Sequence, residues 1–139
     1  SQKMPPFSQA TMSSPLFQEW LNLLGEEVVD EKPAPLSADD ALIVIDMQRD
    51  FVPADPLTNA GGGRFGVAEG DHVVPVIVHM IDAAAAAGAT ICATRDYHPH
   101  DHASFMAQGG PFPAHCVQGT VGARFMPQIS SALARAIGT

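Results

Sequence analysis

The segment TRDYHPHDHASF, residues 94–105, holds three of the chain's six histidines directly behind Asp96. In an extended segment, side chains two residues apart face the same way, so Asp96 and His98 can aim at one ion. A carboxylate oxygen beside an imidazole nitrogen suits Zn, with Fe or Mn as alternatives, and does not suit Ca. A metal needs at least a third ligand. His115 is the leading candidate, carried back by the loop MAQGGPFPA, and His102 is a candidate fourth ligand or a group just behind the ligands. Pro99 and Asp101 favour a turn that leaves His100 outside. The competing reading is a solvated polar loop, and spacing alone does not choose between the two. His72 and His79 fall in a helical pattern and read as surface residues. Cys116 beside His115 invites a Cys–His nucleophile, but neighbours in a chain tend to diverge, and a small buried thiol is the favoured reading.

The elements that must position these residues are legible on either side of them. ALIVI, residues 41–45, is a continuous apolar run, expected as a central parallel strand covered on both faces. Asp46 sits at its carboxyl end. ATICAT, residues 89–94, is a second such strand, with Asp96 just beyond it. Between them HVVPVIVHMIDAAAAAG reads as a helix. Val74, Ile77, Val78 and Ile81 form its apolar stripe, Pro75 is tolerated in the first turn, Asp71 is the expected cap, and Gly88 ends it. Strand, helix, strand is a right-handed βαβ unit, so Asp46 and Asp96 lie on the same rim, where open α/β sheets bind ligands. The Gly- and Pro-rich loop VPADPLTNAGGGRFGVAEGD is long enough to be functional or mobile. PQISSALARAI closes the chain as a helix starting at Pro127. Two strands are few for such a sheet.

At 139 residues the chain suits one compact domain, and 46% apolar residues suit an ordinary core. A net charge of −8 with seven Lys plus Arg argues against a nucleic-acid partner. No apolar run reaches the length of a membrane span, and the N-terminus has no signal-peptide core. Two cysteines make neither a disulfide framework nor a metal finger, so a cytoplasmic setting is expected. Residues 1–39 read as an N-terminal extension: a polar lead-in, a short helix from Leu16, Phe17, Trp20, Leu21 and Leu24, and an acidic linker. Residues 40–139 read as the N-terminal portion of an α/β domain, a Rossmann-like parallel sheet flanked by helices and incomplete at its C-terminus.

ALIVIDMQRDF, TRDYHPHDHASF and PFPAHCVQGTVGARF, in that order, resemble nicotinamidases of the isochorismatase-like (cysteine hydrolase) superfamily. GVAEGDHVVPVI is also similar, and the likeness runs from about Ala41 to Phe125. It implies that Asp46 is the catalytic acid–base residue. It places the metal ligands on Asp96, His98 and His115, with His102 a candidate fourth. It places Phe51 and Phe112 at the substrate pocket, the latter where relatives often carry tryptophan. The implied reaction is metal-dependent hydrolysis of nicotinamide to nicotinate and ammonia in NAD salvage. The family's catalytic lysine and nucleophilic cysteine have no counterpart: Lys3 and Lys32 precede Asp46, Cys92 lies within a strand, and Cys116 matches a different position. A second chain or C-terminal fragment completing the fold is therefore expected, or self-association. The alternative is a non-catalytic metal- or ligand-binding relative, or an interaction subunit.

Overall fold

The computed structural model describes residues 35–138, preceded by Pro15, Glu19 and Asn22. The expected helix from Leu16 to Leu24 rests on apolar residues that lie outside the described residues. The chain divides into two units, residues 1–35 and 36–139.

The second unit contains β1 (Ala41–Val44), α1 (Val73–Ala87), β2 (Thr90–Ala93) and α2 (Pro127–Ile137). The two strands pair in parallel, Ala41 opposite Thr90 through Val44 opposite Ala93. A parallel pair requires a crossover, and α1 supplies it. Helix α1 lies on one face of the sheet, and α2 packs beside it. Val44, Val52, Val74, Ile81, Met126, Ile129 and Ala132 form the core between them. Val74 and Ile81 of the expected stripe are buried, with Ile77 and Val78 packed against the same cluster. Arg135 of α2 donates twice to the Asp82 carboxylate of α1, at 2.9 and 3.0 Å. That pair is exposed and adds little stability.

Two expectations are corrected. The strands are covered on one face only: Leu42, Val44 and Ile91 meet the core, while Ile43 and Ile45 remain 59% and 66% exposed and Cys92 is exposed. A continuous apolar run says that both faces seek cover, and among the described residues no helix covers the second one. Nor does Asp71 cap α1. The cap position is His72, which makes no side-chain capping bond, while the Asp71 carbonyl accepts from the Val74 N–H at 3.2 Å. With Pro75 in the first turn, one of the amides a cap would satisfy is missing in any case. At the other end Gly88 stops the helix as expected. Its φ of 72° is left-handed, and the amides of Gly88 and Ala89 close back on the carbonyls of Ala85 and Ala84.

Candidate metal centre

The rim at the carboxyl ends of β1 and β2 gathers the residues of interest. Asp46 leaves β1 with φ of 50°, an unusual conformation for an aspartate, and is held across the rim to Thr94. Its N–H donates to the Thr94 carbonyl at 3.2 Å, and the Thr94 hydroxyl donates to Asp46 Oδ1 at 2.8 Å. Among the described residues Oδ2 has no hydrogen-bond partner.

Asp96, His98 and His115 each offer one ligand atom, and the three atoms lie within 4.8 Å of one another. Asp96 Oδ2 is 3.3 Å from His98 Nε2 and 3.8 Å from His115 Nε2. An ion about 2.0–2.2 Å from each of two ligands in a tetrahedral arrangement separates them by roughly 3.3–3.6 Å, close to both values. The tautomer of His115 also fits. Its Nδ1 lies 2.7 Å from the Pro113 carbonyl, an oxygen that can only accept. Nδ1 therefore carries the proton, and the Nε2 lone pair faces Asp96 and His98. The donor set of two imidazoles and one carboxylate suits Zn, Fe or Mn and leaves a position open.

The structure brings the other candidates to different places. His102 is outside the convergent set: its Nδ1 is 2.7 Å from the Ser104 hydroxyl, and its ring lies over His98 with centroids 4.3 Å apart. His100 is exposed in the turn after Pro99. Phe51 and Phe112 stand 5.6 and 6.2 Å from the His115 ring. Cys116 is fully buried. Its thiol is pushed up to about 12, first by burial and then by the negative charges of Asp50, Asp96 and Asp46. A thiol so disfavoured as thiolate is a packing residue rather than a nucleophile.

Three participants have no prominence in the sequence. Phe65, in GGGRFG, stacks on His115 at 4.9 Å and meets Phe51 and Phe112 edge-on. The three phenylalanines make an aromatic wall on one side of the ligands. Asn59 holds the loop that delivers Phe65. It is fully buried, donates to the carbonyls of Arg49, Val52 and Pro53, and accepts from Arg49 Nε. Gln48 is also fully buried. It accepts from the Asp96 N–H at 2.7 Å and donates to the Asp96 and Ala123 carbonyls at 2.7 and 2.9 Å. The only advance signals were a bulky aromatic inside a glycine-rich loop and a glutamine four residues past the end of a strand.

The Isochorismatase domain model matches residues 40–135, well over half of the chain. The chain belongs to the isochorismatase-domain family. Within it, the chain is 34% identical to the nicotinamidase of Escherichia coli K12 over 102 residues, 63% of this chain and 44% of that one. It is 34% identical to the nicotinamidase/pyrazinamidase of Mycobacterium tuberculosis over 100 residues, 70% and 49% of the two chains. Among solved structures, the pyrazinamidase of Pyrococcus horikoshii in complex with zinc is 49% identical, with a TM-score of 0.55 over 63% of this chain and 44% of that one. PnC1 from L. infantum in complex with nicotinate is 34% identical, with a TM-score of 0.59 over 70% and 45%. The family fold is therefore the isochorismatase-like parallel sheet with flanking helices. The chain spans less than half the length of these four relatives.

Proposed function

We propose that this chain is the metal-binding half of a nicotinamidase, which hydrolyses nicotinamide to nicotinate and ammonia in NAD salvage in the cytoplasm. The observation that carries the reading is the convergence of Asp96, His98 and His115 beside a wall of three phenylalanines. Two of the relatives above are nicotinamidases, a third is a zinc complex, and a fourth is a nicotinate complex. They support the reading without assigning roles to residues here.

A divalent metal, zinc first and iron or manganese as alternatives, would supply an electrophilic point that holds and polarises the pyridine nitrogen. Asp96, His98 and His115 would hold it. Phe51, Phe65 and Phe112 take the flat ring and exclude water from one side. Asp46 keeps one carboxylate oxygen fixed by Thr94, which leaves the other to accept a thiol proton and return it to the leaving ammonia. The lysine and the nucleophilic cysteine come from a further segment, on this polypeptide or a second one.

Among the described residues no strand pairs with the far edge of β2, and that edge suits such a segment. Ala85, Ile91, Ala93, Leu133 and Ala136 line an apolar groove of about 550 Å³ beside that strand. An unpaired strand edge over an apolar groove is a place for another strand.

Nicotinamide titrated into the zinc-loaded chain is expected to bind, and binding should be lost when zinc is removed. Equal binding with and without zinc would remove the metal from substrate recognition.

A further inference from the structure

We propose that Gln48 and Asp50 are positioning residues of the metal centre: one fixes the Asp96 backbone and the other the His115–Cys116 peptide. The inference rests on the metal reading above.

The segment behind β1 runs against residues 122–125. Gln48 makes an antiparallel bridge with Phe125, Arg49 N–H donates to the Arg124 carbonyl, and Asp50 N–H donates to the Gly122 carbonyl. Anchored there, its side chains alternate. Arg49 turns out to Asn59 and Ala60, while Gln48 and Asp50 turn inward and are fully buried.

Their side-chain chemistry suits two different tasks. A glutamine amide both accepts and donates. Gln48 uses both functions on one residue, accepting from the Asp96 N–H and donating to the Asp96 carbonyl. The peptides on both sides of the Asp96 Cα are thereby fixed, which fixes the direction in which its carboxylate leaves. An ionised carboxylate only accepts. Asp50 Oδ2 takes the Cys116 N–H at 2.8 Å, so the peptide leaving His115 is fixed. Cys116 sits at φ of 47°, a conformation that needs such restraint. The two ligand segments are also tied to each other: His98 N–H donates to the Cys116 carbonyl at 3.0 Å, and Gln118 N–H to the His98 carbonyl at 2.8 Å. Neither Gln48 nor Asp50 contributes a ligand atom. What they set is the spacing between the Asp96 oxygen and the His115 nitrogen.

The test is zinc affinity of the 139-residue chain, read by competition with a chromophoric chelator. Gln48→Met and Asp50→Ala are each expected to weaken zinc binding by about 10- to 100-fold, the loss usual for residues that orient ligands. Asp50→Asn keeps an oxygen acceptor for the Cys116 N–H and should stay within about threefold of wild type. Ile129→Val, in the core of α2, should lower the melting temperature and leave zinc affinity unchanged. Should Gln48→Met fail to fold, Gln48→Glu replaces it, keeping an acceptor for the Asp96 N–H but no donor for the two carbonyls. Wild-type affinity in Asp50→Ala and in the Gln48 variant would overturn the proposal. Weakening in Ile129→Val equal to theirs would overturn it too, because stability alone would then explain the loss. Absence of zinc binding by the wild-type chain would overturn the metal reading itself, a different result from wild-type binding that the variants retain.

Discussion

Zinc-loaded, the 139-residue polypeptide is expected to release no ammonia from nicotinamide. The proposed reaction needs a thiolate beside the carboxamide, and neither cysteine is placed to provide one. Cys116 is pushed up to about 12 and has no exposed surface. Burial and the surrounding carboxylates hold such a thiol protonated at neutral pH. Cys92 is exposed, but it belongs to β2, opposite Ile43 of β1 and short of the rim where Asp46 and Asp96 lie. In the proposed reaction the groups present would bind and orient the substrate and hold a proton, and would lack the nucleophile for a thioester. Ammonia assayed after prolonged incubation should match the enzyme-free blank. Turnover that disappears in Asp46→Ala would show that this chain carries its own nucleophile.

Gly122→Ala is expected to destabilise the fold by about 3 kcal/mol or more. A Cβ built at Gly122 lands within the carboxylate of Asp50, which is fully buried. The methyl has to be accommodated in a filled space, which costs roughly 1–3 kcal/mol. Moving the carboxylate also gives up its bond to the Cys116 N–H, a charged hydrogen bond worth about 1.5–3 kcal/mol. Neither neighbour can yield, because Gly122 and Asp50 are also joined through their backbones at 3.1 Å. Urea unfolding of the two proteins measures the difference. A change under about 1 kcal/mol would mean that the 119–124 turn moves freely away from Asp50.

What could be read in the sequence was what repeats or clusters. The βαβ unit was legible because an apolar run, a 3.6-residue stripe through Val74 and Ile81, and a second run each carry their own period. Asp96, His98 and His115 were legible as a candidate ligand set, because a two-residue spacing aims the first pair one way and a returning loop can bring the third, and the fold does draw their ligand atoms together. The one-sided sheet was not legible, since Ile43 has the same composition whether its face is covered or open. The capping role assigned to Asp71 failed because the chain turns into the helix one residue later, at His72. Phe65 and Asn59 were hidden because a glycine-rich loop has no periodicity, and only its closure around Asn59 places the ring on His115. Gln48 and Asp50 act on backbone groups from 48 and 66 residues away, a pairing that no local pattern encodes.

The distinction between His102 and the three convergent residues arises only in the fold. On spacing, His102 is as available as His98. In the fold its Nδ1 turns to Ser104 and its ring lies on the His98 ring.

On the proposed reading Asp96, His98 and His115 hold one divalent metal. Zinc stoichiometry after equilibrium dialysis tests it most directly, comparing wild type with His98→Ala and His115→Ala. One zinc per wild-type chain is expected, with a loss of affinity of at least about 100-fold in each variant, since removing one of three protein ligands leaves two. Wild-type zinc content in both variants would contradict it.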